Sequence, residues 1–110
     1  MKEENLYFHE STVVEFTSYP TFIRLCLEDI HAGEQIKNAE LLFEGVKKLE
    51  VDDKPAVLPL MAAPDGEILT LKMNDNTIEL LIEWNNFECH DQFVKYYFIE
   101  CENIVIKLIE

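Results

Sequence analysis

Glu67-Ile68-Leu69-Thr70-Leu71-Lys72-Met73, Asn74-Asp75-Asn76 and Thr77-Ile78-Glu79-Leu80-Leu81-Ile82-Glu83-Trp84 follow one another, and this stretch decides the fold. Apolar and polar residues alternate with a period of two, the period of a pleated strand with one buried face. In residues 67–73, Leu69, Leu71 and Met73 are expected on one side, with Ile68, Thr70 and Lys72 on the other. In residues 77–84, Ile78, Leu80, Ile82 and Trp84 are expected inward, with Thr77, Glu79 and Glu83 outward. Asn and Asp tolerate left-handed backbone, so Asn74-Asp75-Asn76 reads as the turn of a hairpin.

The same period extends in both directions. Residues 85–92 are a polar loop, and residues 93–99 are apolar on both faces, as in a central or doubly covered strand. Glu102-Asn103 breaks the phase before Ile104, Ile106 and Leu108, which marks either a bulge or a tight turn into a last strand. Toward the amino end, Asp52-Asp53-Lys54-Pro55 and Pro64-Asp65-Gly66 bracket a loop, with room for one short helical turn near residues 58–63. Ala39, Leu41 and Phe43 alternate with Glu40, Leu42 and Glu44 until Gly45 interrupts the pattern as a bulge or bend. Glu, Leu and Lys make a helix the rival reading of residues 41–49, but the central Gly favours strand. Residues 31–38 read as a hairpin loop. Before them, residues 21–30 place Ile23, Leu25 and Leu27 opposite Arg24 and Glu28. Residues 12–17 place Val14 and Phe16 opposite Val13 and Glu15. The expected fold is a single all-β domain over residues 1–110. Six or seven antiparallel strands form a meander curled into a sandwich or half-barrel.

With 48% apolar residues, this chain has material for a core, so its charge does not imply disorder. That charge is strongly unbalanced: 22 Asp and Glu face 9 Lys and Arg, a net −13. Such a field repels phosphate backbones and anionic membrane surfaces, which argues against nucleic-acid and membrane partners. The longest uncharged stretch, residues 55–64, is too short to span a bilayer. Residues 1–16 carry four Glu and no apolar leader segment. Cys26, Cys89 and Cys101 lack metal-site spacing and are expected as reduced thiols in a cytoplasm.

Catalytic chemistry finds little support. Cys89-His90-Asp91 holds the residue types of a nucleophilic triad, but neighbours in extended chain point to opposite faces. Asp29 and His31 are expected to share a strand face, and His9 and Glu10 could add to them as metal ligands, yet no spacing fixes a closed four-ligand site. Glu79 and Glu83 stand about 13 Å apart along a strand, beyond the separation of paired glycosidase carboxylates. No phosphate loop, calcium loop or dinucleotide fingerprint is present.

The remaining signal is the run of glutamates at expected outward positions: Glu15, Glu28, Glu40, Glu44, Glu79, Glu83 and Glu100. Like charges across a sheet cost stability, and three explanations compete for them: solubility and edge protection first, then a docking surface for a basic protein, then a cation-binding site. Phe8-His9-Glu10-Ser11, Leu41-Leu42-Phe43-Glu44-Gly45-Val46 and the stretch 66–84 together resemble a group of small bacterial proteins of unassigned role. Some similar families are immunity proteins of polymorphic toxin systems. The resemblance covers about two-thirds of the chain, rests on structural motifs and transfers no functional residue. It implies an acidic antagonist of a basic toxin.

The leading expectation is therefore a non-enzymatic, cytoplasmic protein-binding domain without cofactor, an immunity-type inhibitor being its specific form. Its docking residues would be Glu15, Glu28, Glu79 and Glu83, with Trp84, Phe87 or Tyr96 as aromatic anchors. Two other classes stand beside it. One is a small-molecule or metal-binding domain using His9, Asp29, His31 and His90. The other is a homo-oligomer joined through an edge strand.

Overall fold

The computed structural model describes residues 6–56, 59–88 and 90–109, and in them the period-two patterns become ten strands and no helix. These are β1 (Leu6–Tyr7), β2 (Thr12–Ser18), β3 (Phe22–Ala32), β4 (Gln35–Glu44) and β5 (Lys48–Val51). They continue with β6 (Lys54–Pro55), β7 (Asp65–Asn74), β8 (Thr77–Asn86), β9 (Asp91–Glu100) and β10 (Asn103–Ile109). Every pairing is antiparallel, in the order β10-β4-β3-β2-β7-β8-β9-β5-β6, with β1 pairing β3 beyond the end of β2.

The expected six or seven strands become ten for local reasons. Residues 31–38, expected as a loop, belong largely to strands, because β3 and β4 continue to a tight turn at Gly33. Residues 39–51 split into β4 and β5 at Gly45, so the helical alternative for residues 41–49 is excluded. β1 and β6 are two residues each, too short to leave a periodic signal. The helical turn near residues 58–63 does not form among its described residues; Leu58 lies outside them.

One hydrogen-bonded sheet replaces the two separate layers of a sandwich. Phe16 on β2 and Tyr97 on β9 are three strands apart, about 14 Å in a flat sheet. Their rings nevertheless meet at 5.0 Å, so the sheet curls over its own inner face. The curl has two creases. At the first, β2 and β7 share only Thr12↔Glu67 and Val13↔Gly66, and register shifts interrupt β2 at Val14, β3 at Glu28-Asp29 and β7 at Leu69. Bulges bend strands and sharpen twist, as a folded-over sheet requires.

The second crease joins segments distant in sequence. At Gly45 the chain crosses from β4 to β5, and at Cys101-Glu102 it crosses from β9 to β10. Glu102 N–H donates to the Glu44 carbonyl at 2.9 Å, and Lys47 N–H donates to the Glu100 carbonyl at 2.7 Å. Gly45 has φ 63°, and a Cβ there would fall 2.4 Å from Glu102 Oε1 and 2.9 Å from Glu102 Cβ. Only glycine fits that crossing without displacement. Because β10 pairs with β4 and not β9, Glu102-Asn103 carries the strand onward and is no hairpin turn.

Bulges also correct two face assignments. Val13 is buried and Val14 is exposed, the reverse of simple alternation, because the extra residue at Val14 shifts the phase. Ile68 is likewise buried, since the bulge at Leu69 puts it inward opposite Ile82. The core holds Phe16, Ile23, Leu25, Leu41, Phe43, Ile78, Leu80, Trp84 and Tyr97, contributed by both limbs of the curl.

Candidate functional site: a glutamate row on the outer sheet face

The two limbs treat their carboxylates differently. On the β4–β3–β2 limb, Arg24 is the sole arginine of the chain. Its Nη1 lies 2.9 Å from Glu15 Oε1, and its Nε donates to Glu40 Oε2. Tyr19 donates its hydroxyl to Glu15 at 3.1 Å, and Lys107 stands 4.0 Å from Glu40. Glu15 is thus engaged inside the protein, and the hydrogen bond to it raises the Tyr19 pKa. The hydrogen bond that Arg24 donates to Glu40 raises the guanidinium pKa in turn. Cys26 sits between Glu15 and Glu40 in the cross-strand row, and burial raises its thiol pKa, which suppresses the reactive thiolate.

Across the first crease the arrangement changes. The registers Val94↔Glu83, Glu83↔Glu67, Glu67↔Thr12 and Thr12↔Glu28 define one continuous row over β9, β8, β7, β2 and β3. Glu83 lies between buried Ile82 and Trp84, and Glu67 between buried Gly66 and Ile68, so both project outward. They stand directly opposite each other. Among the described residues neither forms an ion pair within 4.0 Å. Glu28 extends the row and is exposed.

Beside this row runs a mixed strip. Tyr96 donates its hydroxyl to Glu79 at 2.8 Å, and that bond raises the tyrosine pKa. Thr70, Lys72, Glu79, Leu81 and Tyr96 line a shallow groove of about 190 Å³. Lys48 lies 5.9 Å above the Phe98 ring, and Val94 is exposed at the end of the row.

The structure therefore assembles Glu28, Glu79 and Glu83 on one continuous outer surface and ties Glu15 into the Arg24 pair. Glu67 completes the row and is not among the glutamates expected outward from the sequence; the bulge at Leu69 breaks the alternation that would relate it to Leu71 and Met73. Trp84 is corrected. It is 0% exposed and donates Nε1–H to the Tyr97 hydroxyl, so it cannot anchor a partner from the folded surface. Phe87, in the β8–β9 turn, is 71% exposed.

The candidate metal set does not converge. His9 donates Nδ1–H to the Leu69 carbonyl at 2.7 Å, its ring held by the bulge. Asp29 is in left-handed backbone at φ 63°, which breaks the common strand face expected with His31. His90 stands in the β8–β9 turn. Among the described residues no three His, Cys, Asp or Glu side chains are placed to hold a metal ion. Cys89 lies outside the described residues. Ser11 is buried and spends its hydroxyl on the Phe8 carbonyl at 2.6 Å, closing the turn that carries His9. A concavity of about 370 Å³ opens beside β5, β6 and β9, lined in part by Asp52, Lys54, Lys95 and Tyr97, with Asp52 and Lys95 paired at 3.6 Å.

No helix among the described residues is long and apolar enough to cross a membrane. No protein-family model matches this chain, and the searches of curated proteins and of solved structures returned no match.

Proposed function

We propose that the chain is a non-catalytic protein-binding domain that holds a basic protein against the outer face of β9, β8, β7 and β2. The observation that carries this reading is the directly opposed pair Glu67 and Glu83, with Glu28 further along the same row. Like charges facing each other across a ladder destabilise a sheet, and among the described residues neither carboxylate has an ion-pair partner within 4.0 Å. Lysines or arginines of a partner supply the missing charge. Glu79 and Tyr96 flank the row, and the exposed Phe87 projects from the adjoining turn as the aromatic contact.

The resemblance to immunity proteins gives the proposal its specific form, an antagonist neutralising a basic toxin in the cytoplasm where both are made. Cys26 and Cys101 are free, as a reducing compartment keeps them. The net −13 charge raises the encounter rate with a basic partner and keeps nucleic acid away.

Co-expression with the product of the adjacent gene tests the reading. A stable complex that weakens as salt rises, and weakens again in E67Q/E83Q, supports it. Failure to bind that product, or an affinity indifferent to salt, counts against it.

A further inference from the structure

The two ends of the sheet are finished differently. β6 is two residues long and ends on Pro55, the short, proline-blocked form of a protected edge. β10 is seven residues, Asn103-Ile104-Val105-Ile106-Lys107-Leu108-Ile109, and pairs with β4 without a register shift. Among the described residues nothing pairs with its other side. Five of its seven residues are Ile, Val or Leu, with Leu108 at 43% and Ile109 at 46% exposure.

Charge singles out the same strand. Apart from the two-residue β1 and β6, β10 alone carries no Asp or Glu, in a chain of net −13. A basic segment added to this edge would meet Lys107 and no carboxylate on β10 itself, and an acidic segment would meet one cation, already 4.0 Å from Glu40, amid a negative field. A second copy of the same strand meets apolar side chains on both faces.

We infer that β10 is a self-pairing edge through which two copies join, antiparallel and about a two-fold axis, into one continuous sheet. Opposite residues in an antiparallel pair share a face, so the register using the whole strand is centred on Ile106. Ile106 then faces Ile106 of the partner subunit, Ile104 faces the partner's Leu108, and Val105 faces the partner's Lys107. Ile104, Ile106 and Leu108 lie on the inner face, where their β4 neighbours are Phe43, Leu41 and Ala39. The register extends that apolar face across the axis and sets neither Lys107 against the other. The remaining carboxylates repel at a distance, and salt with a Debye length of about 8 Å screens them. Dimerisation through β10 therefore strengthens as salt rises.

Sedimentation velocity over a range of protein and salt concentrations tests this against the 12.9 kDa monomer mass. The expected result is a species of twice that mass, favoured by salt. V105K puts a lysine opposite the partner's Lys107 twice over and weakens association about tenfold. V105E puts a carboxylate there and retains the dimer, although it makes each subunit more negative. I109K, at a more exposed position, serves where V105K fails a circular dichroism check of folding, and it too weakens association. A monomer under all conditions overturns the inference. So does a dimer that V105K and V105E weaken alike, or that the folded lysine variant leaves unchanged.

Discussion

The Trp84 indole donates its hydrogen to the Tyr97 hydroxyl at 2.9 Å, and that hydroxyl donates its own to the Leu60 carbonyl at 3.0 Å. This buried relay ties β8 to β9 and both to the loop before β7. Its polar groups satisfy one another with no water needed. Y97F removes the middle member and strands an indole N–H and a carbonyl in the interior. A loss of about 1–3 kcal/mol is expected, most of it the desolvation of the two orphaned groups. Thermal unfolding followed by Trp84 fluorescence measures it, since the chain has a single tryptophan.

The same hydroxyl sets an alkaline limit. Burial pushes Tyr97 from its ordinary 10.0 up to about 12. The unfolded tyrosine ionises first, so between pH 10 and 12 the folded state holds the extra proton and stability falls as pH rises. Below that window this group contributes no pH dependence. The slope is at most about 1.4 kcal/mol per pH unit. In Y97F this part of the slope disappears, so wild type and variant converge in stability from pH 10 toward 12. Tyr19 and Tyr96, each raised by a glutamate partner, leave a residual slope in both. Denaturant titrations at a series of alkaline pH values decide the matter.

Gly66 packs against the six-membered ring of the same indole. A Cβ at this position would lie 2.5 Å from Trp84 Cζ3 and 2.7 Å from Cε3. The ring is enclosed by the core and held by its hydrogen bond, so it cannot swing aside. G66A is expected to cost about 1–3 kcal/mol by overpacking. Chemical denaturation should show a lowered midpoint with an unchanged slope.

The hairpin of β7 and β8 was legible because Ile78, Leu80, Ile82 and Trp84 alternate without a break and Asn74-Asp75-Asn76 has turn chemistry. Its partner strand was legible as a strand but not in its phase. A bulge adds one residue without altering composition, so Leu69 and Val14 carry no local mark that they shift the pattern. The glutamate row was half visible for that reason: Glu83 lies on a strand whose own alternation is unbroken, and Glu28 continues the alternation of Ile23, Leu25 and Leu27, whereas Glu67 is cut off from Leu71 and Met73 by the bulge at Leu69. Gly45 and Glu102 each announced a break. That the breaks form one crease depends on a contact between distant segments, which local periodicity does not encode. Glu15 looked free because its cation, Arg24, is supplied by the neighbouring strand.

Glu67 and Glu83 set stability against binding, and one substitution separates the two. E83K replaces a like-charged cross-strand pair with an opposite one at Glu67, and the isolated domain should gain about 0.2–1 kcal/mol. The same change puts a cation where a basic partner's lysine or arginine would sit, so affinity for that partner should drop. A variant more stable in thermal melts and weaker in calorimetric titration is the expected pair of results. The response to salt also separates the two proposed surfaces. Added salt weakens docking on the glutamate row and strengthens pairing through β10, because the first joins opposite charges and the second joins two negatively charged bodies. E83K that loses stability would show that the opposed carboxylates are not a burden to the free domain, and the argument for a basic partner on this face would fall with it.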